Sequence, residues 1–160
     1  MFAVGMNNRE HQLSFKNRLK QFCEQTITER IAAARKAMDN AQDAANGEEK
    51  SSAGDKYETS RAMSHLEKDM HARQLVNHLR ELSALRAVNV EMIYATPVTG
   101  SIVECEQVSF FIAAGLGKQL IDGAPVIFLS PESPLAKKMS GKKIGDSIVF
   151  NGEIVIVDIY

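Results

Sequence analysis

The 160-residue chain lacks several features that whole classes of protein require. It has no tryptophan, only two cysteines, and no proline before Pro97. Cys23 and Cys105 stand alone, without the paired spacing of a disulfide framework or a zinc site, so we expect two buried, reduced thiols. No apolar run approaches the ~20 residues that cross a bilayer, and the start has no basic flank of a signal peptide. These absences predict a cytoplasmic protein without membrane contact.

An excess of charge of one sign is also missing, because 19 basic and 20 acidic residues leave a net charge of −1. This balance argues against a general attraction to nucleic acid. The charge is nevertheless unevenly placed along the chain. Between residues 39 and 58 there are two lysines and six acids, at Asp39, Asp43, Glu48, Glu49, Asp55 and Glu58. We expect this acidic segment to attract cations and repel phosphates.

The first half of the chain has the period of a coiled coil. Apolar residues recur at steps of four and three at Ile27, Ile31, Ala34, Met38, Ala41 and Ala45. A polar stretch at 46–55 interrupts this seam. A second seam is then predicted at Thr59, Met63, Leu66, Met70, Leu75, Leu79, Leu82 and Leu85. Two helices joined by a short turn must lie antiparallel, so residues 1–88 are predicted to form a helical hairpin with 46–55 at its far end.

The second half switches to the period of β-strands. Runs rich in branched and aromatic residues occur at 102–103, 108–112, 126–129, 148–150 and 154–157. Asn151-Gly152 predicts a tight hairpin, because type I′ turns need positive φ at both central positions. Residues 133–140, followed by Gly141, predict a short helix that starts at Pro134. We therefore expect an α+β protein, with a small antiparallel β domain at 98–160.

Three motifs with possible chemistry are rejected. Gly115-Leu-Gly117-Lys118 lacks the first glycine and the final Ser or Thr of a phosphate loop, and is interpreted as a strand-connecting turn. His65, His71 and His78 are six and seven residues apart, whereas helical metal pairs need three or four. No nucleophile-and-base motif is present.

The most specific pattern in the chain covers residues 129–149. In order and spacing it resembles the C-terminal signature of the Gre (GreA/GreB) transcript-cleavage factors at Ser130, Ser133-Pro134-Leu135, Gly141-Lys142 and Gly145-Asp146. Ala136 stands where that family usually has glycine. The order of a long helical hairpin followed by a small β domain extends the resemblance over nearly the whole chain.

The resemblance implies a bacterial-type transcription elongation factor that acts on DNA-bound RNA polymerase. It implies that the β domain, similar in fold to FK506-binding proteins, docks at the rim of the polymerase secondary channel while the coiled coil enters the channel. Acids at the hairpin tip then help to hold a second Mg²⁺ near the nascent RNA. Such a monomer would hold no cofactor stably, and Mg²⁺ would bind only in the complex with the polymerase.

The predicted sites follow from this resemblance. Ser133, Pro134, Lys137 and Lys138 are the predicted polymerase-binding residues. Glu49 and Asp55 are the predicted Mg²⁺ ligands, and with Glu48 and Glu58 they form the predicted catalytic group. The tip departs from the family, however, because Lys50 and Ala53 stand where cleavage factors carry Asp and Glu.

Three alternatives stay open at this point. The chain could occupy the polymerase channel without stimulating RNA cleavage. The β domain could be an FKBP-like prolyl isomerase, although fold analogy alone does not carry function. The hairpin could be a self-associating structural coiled coil.

Overall fold

The computed structural model describes the backbone of residues 2–48 and 54–160, and the side chains of residues 8–47 and 58–160. Three helices are present: α1 (Phe2–Glu48), α2 (Gly54–Arg86) and α3 (Pro134–Met139). Six strands follow α2: β1 (Ile102–Cys105), β2 (Ser109–Ile112), β3 (Gly117–Ile121), β4 (Ala124–Leu129), β5 (Ser147–Val149) and β6 (Glu153–Ile159). The predicted α+β layout is confirmed. None of these helices is long and apolar enough to cross a membrane.

The contacts divide the chain into two compact units. The hairpin unit comprises Glu24–Ala84, and the sheet unit comprises Met1–Cys23 together with Leu85–Tyr160. These units differ from the sequence segments 1–88 and 98–160, because the first part of α1 packs against the sheet. The ring of Phe22 lies 5.4 Å from the ring of Phe128 on β4.

Within the hairpin unit, the seam predicted on α1 is confirmed at Ile27, Ile31, Ala34, Ala41 and Ala45, which are all buried. The seam predicted on α2 is wrong for its first half and at Leu79. The exposed side chains on α2 include Met63, Leu66, Met70 and Leu79.

The face of α2 that packs against α1 is more polar than the predicted apolar seam. It begins at the buried Ser64 and continues through Lys68, whose ammonium group donates a hydrogen bond to the side chain of Gln42. The buried residues of α1 in this region include Ala34, Ala41 and Ala45.

The sheet has the strand order β3-β4-β2-β1-β6-β5. β2 and β4 pair in parallel and the other neighbours pair antiparallel, so the expectation of an antiparallel sheet is wrong at one pairing. The cause is β3, a strand that the sequence does not predict and that shares only its first two residues with the expected turn at 115–118. The chain leaves β2, forms β3 at the sheet edge, and returns as β4 between them. β3 is largely exposed and lacks the alternation that predicts a strand.

A helix covers each face of the sheet. On one face α3 packs into the core through Ala136 and Met139, beside Val103, Phe110, Ile127 and Ile159. On the other face lie Phe111 and Phe128, whose rings pack edge to face at 6.0 Å, and Phe22 of α1 contacts Phe128. Two short-range predictions are confirmed here. α3 forms as expected, and Asn151 and Gly152 both have positive φ, of 50° and 118°.

Candidate functional site

Of the predicted docking residues, Pro134, Lys137 and Lys138 lie in α3, and Ser133 is its N-cap. The Ser133 hydroxyl accepts a hydrogen bond from the backbone N–H of Ala136 at 3.2 Å, as an N-cap does. Pro134 occupies the first helical position, where its missing N–H costs nothing. Ser133 and Pro134 therefore serve the backbone, and the exposed Lys137 and Lys138 are the side chains available to a partner.

A groove runs beside α3 along the strand at the edge of the sheet. Its volume is about 360 Å³, and it is lined by Leu135, Lys138, Lys142, Ser147, Ile148 and Val149. Two ammonium groups border a largely apolar floor. Lys137 lies outside the groove, and its ammonium is 3.8 Å from the carboxylate of Glu132. The groove is suited to an acidic segment that also presents an apolar side chain.

The remainder of the signature shapes the turns around this groove. Gly141 and Gly145 have φ of 78° and 93°, a region that side chains disfavour. The Asp146 carboxylate accepts a hydrogen bond from the Lys143 backbone N–H at 2.8 Å. These residues therefore determine the backbone conformation between α3 and β5.

Two of the predicted catalytic acids lie at the end of α1 and at the start of α2. Glu48 is the last residue of α1 and Asp55 is the second residue of α2, and their side chains are not described. Glu49 lies outside the described residues. Glu58 is exposed on α2. In the described parts of the chain, no three His, Cys, Asp or Glu side chains gather as a metal site requires.

The hairpin unit also contains a groove of about 500 Å³ with an alanine floor. Arg30, His71, Gln74 and His78 surround Ala33, Ala34 and Ala37. The Nδ1 atom of His78 is buried without a hydrogen bond and lies 3.6 Å from a carboxylate oxygen of Glu81.

A pair of carboxylates that sequence reasoning missed lies between α1 and the sheet. Glu104 and Asp158 are direct neighbours on β1 and β6, in a cleft of about 580 Å³. Gln12 donates a hydrogen bond to Asp158 at 3.0 Å. Burial, and then the charge of Asp158, raise the pKa of Glu104 above its usual range. The alternating pattern of both strands could have indicated the pair, but their register is not readable from sequence.

A buried lysine is the second feature that sequence reasoning missed. Lys16 is fully buried, donates a hydrogen bond to the backbone carbonyl of Met92 at 2.6 Å, and lies 4.6 Å from the centre of the Tyr94 ring. One turn later, Lys20 donates to the carbonyls of Arg86 and Val88. The two lysines fasten the segment after α2 to α1. Burial lowers the pKa of Lys16 to about 8.

This lysine predicts a rise in stability at alkaline pH. The native pKa of about 8 lies below the ordinary lysine pKa of 10.5, so burying the charged form opposes folding. This cost is fully present below pH 8 and is removed as the pH rises towards 10.5, because native Lys16 then loses its proton before unfolded Lys16 does. Between pH 7.5 and 9.5 we expect the free energy of unfolding of the wild type to gain up to about 2 kcal/mol relative to Lys16→Met.

Urea unfolding of both proteins at several pH values measures this difference, and every group other than Lys16 cancels in the comparison. Parallel pH profiles for the two proteins would show that Lys16 titrates normally.

Comparison with known proteins adds no assignment. No protein-family model, curated protein or solved structure matches the chain.

Proposed function

We propose that the chain is a cytoplasmic Gre-type elongation factor that binds RNA polymerase through its sheet unit and inserts the turn of its hairpin into the secondary channel. In this proposal the β domain is FKBP-like and the factor acts as a monomer. It has no catalytic activity of its own. The acids Glu48, Glu49, Asp55 and Glu58 help the polymerase to hold Mg²⁺ beside the nascent RNA.

The observation that carries the proposal is the groove beside α3. The residues that resemble the Gre signature cap α3, set its flanking turns, and leave Lys138 and Lys142 at the rim of an apolar floor. A surface of this kind can recognise an acidic segment of a large partner, because lysines steer the encounter and the apolar floor adds burial. The antiparallel hairpin with acids at its turn supports the second part of the proposal.

Occupation of the channel without RNA cleavage is the second candidate function. It is favoured by Lys50 and Ala53, which stand where cleavage factors carry acids. A lysine near the turn weakens the attraction of the remaining carboxylates for a cation. Prolyl isomerisation has less support, because Phe110, Phe111 and Phe128 are almost fully buried and pack in the interior of the sheet unit.

Reversing the charges on α3 tests the docking surface. We expect Lys137→Glu with Lys138→Glu to weaken binding to the cognate core RNA polymerase by roughly tenfold at low salt, and by less at high salt, because exposed charges are screened. Fluorescence anisotropy of the labelled protein, titrated with polymerase at two salt concentrations, measures the dissociation constants.

The matched control is Lys118→Glu with Arg9→Glu, which changes the same amount of charge at exposed positions of the same unit. An equal loss of affinity in both double variants would show that α3 does not contact the polymerase and that only the overall charge affects binding.

A further inference from the structure

The cleft between the first part of α1 and strands β1 and β6 has the size of a small-molecule site. Its volume of about 580 Å³ lies within the range of roughly 300–1,000 Å³ that such sites occupy. Both walls of the cleft belong to the sheet unit. The wall formed by the sheet consists of Glu104, Val157, Asp158 and Tyr160, and the wall formed by α1 includes Phe15.

Two carboxylates of like charge meet at one point of this cleft. Glu104 and Asp158 are paired across β1 and β6, where the Cβ atoms of facing residues lie roughly 4.5–5.5 Å apart. Like charges in this position destabilise a sheet. Arg18 also lines the cleft, but its guanidinium group pairs with Asp122. Among the described residues, no basic side chain pairs with either carboxylate of the cleft.

Tyr160 is the third polar group at this point. It is only 7% exposed, and it lines the cleft. Burial, and then the charges of Glu104 and Asp158, raise the pKa of its hydroxyl, which therefore lies near both carboxylates and keeps its proton. A buried tyrosine hydroxyl usually has a hydrogen-bond partner, but this one has none among the described residues. The hydroxyl is therefore available to a molecule in the cleft.

These three groups match the hydrogen-bonding capacity of a primary ammonium group, which has three N–H donors. The Glu104 carboxylate accepts no hydrogen bond from the described residues. Asp158 accepts one from the side chain of Gln12 and one from the backbone N–H of Ile159, but each of its oxygens has a second lone pair. The described residues bring no third carboxylate, histidine or cysteine to form a metal site here. An organic cation therefore fits the cleft better than a metal ion.

We propose that this cleft binds a small aliphatic primary amine, whose ammonium group donates hydrogen bonds to Glu104, Asp158 and Tyr160. The carbon chain of the amine lies against the apolar side chains of Phe15 and Val157, because methylene groups gain free energy on leaving water. The positive charge of the amine offsets the repulsion between the two carboxylates. This inference goes beyond the function proposed above, since binding of the amine requires no polymerase.

The test uses the full chain, with 1,4-diaminobutane as the probe and isothermal titration calorimetry at neutral pH as the measurement. We expect saturable binding to the wild type. Glu104→Gln should raise the dissociation constant roughly tenfold or more, because it replaces a charged acceptor by a neutral one of the same size. Tyr160→Phe, which removes only the hydroxyl, should raise it by about threefold to tenfold. The matched control is Glu106→Gln, which removes the same charge at an exposed position outside the cleft and should bind as the wild type does.

Loss of the fold does not explain weaker binding by Glu104→Gln, because this change relieves the repulsion between like charges. Its melting temperature should therefore equal or exceed that of the wild type.

Butane-1,4-diol has the same length as the probe and no charge, so we expect it not to bind. Equal binding of the diol and the diamine would show that the cleft does not recognise an ammonium group, and would overturn the inference. Absence of saturable diamine binding, or equal affinity of the wild type and Glu104→Gln, would overturn it as well. Binding of Mg²⁺ without binding of the diamine would assign the two carboxylates to a metal ion instead. Polymerase takes no part in these experiments, so their failure leaves the proposed docking function intact.

Discussion

Gly100→Ala should lower the free energy of unfolding by more than 3 kcal/mol and so unfold much of the sheet unit at moderate temperature. A Cβ atom at this position would lie 2.3 Å from the backbone carbonyl oxygen of Asn89. Gly100 also has a φ of 95°, which side chains disfavour. The same carbonyl accepts a hydrogen bond from the Tyr94 hydroxyl, so the segment cannot move away without losing that contact.

Gly123→Ala is the control for backbone strain. Its φ is 80°, close to that of Gly100, but a Cβ atom would meet nothing within 4 Å. We expect a loss of only about 1 kcal/mol, from the unfavourable φ alone. Thermal and urea unfolding of both variants measure the difference. Similar losses in the two variants would mean that the segment around Asn89 yields easily and that close packing does not constrain it.

Gly100 illustrates what the sequence could and could not predict about the fold. The change of period near residues 88–100 located the junction between the helical and strand-like halves of the chain. It did not indicate that this junction is tightly packed, with Lys16 and Lys20 binding its carbonyl groups. Contacts between residues 76 and 68 positions apart in the chain leave no local pattern in the sequence.

The buried face of α2 shows a second limit of sequence-based prediction. Periodicity identifies the most hydrophobic face of a helix, which is not always the face that is buried. Hydrophobicity favours the row with Met63, Leu66 and Met70, whereas the buried row in the structure begins at Ser64. At the proposed docking surface, more of the local structure was predictable from the sequence. Turn and cap chemistry is local, so α3 and the conformation of Asn151-Gly152 were predictable. The groove depends on how α3 lies against β5, which only the folded structure provides.

In the proposed function, the acids between residues 48 and 58 determine whether the factor stimulates RNA cleavage. Two-metal phosphoryl transfer needs a second ion to stabilise the reacting oxygens. Mg²⁺ prefers oxygen ligands and keeps most of its water, so one or two carboxylates suffice to recruit it. Glu49→Gln with Asp55→Asn retains size and polarity and removes the charge that the ion requires. Loss of that charge should reduce cleavage of backtracked RNA by roughly a hundredfold or more.

Binding to the polymerase should survive this change, because the docking groove on the sheet unit is untouched. Asp39→Asn with Asp43→Asn is the matched control, since it removes two exposed acids of the same hairpin that precede the turn. Its cleavage rate should stay within about twofold of the wild type, because exposed charges outside the turn are screened from the reaction. Equal losses in both variants would indicate a general electrostatic effect.

If the wild type gives no cleavage above the polymerase's own rate but inhibits nucleotide addition, the cleavage hypothesis is wrong. Lys50 and Ala53 would then explain the loss, because the positions that carry acids in cleavage factors have none here.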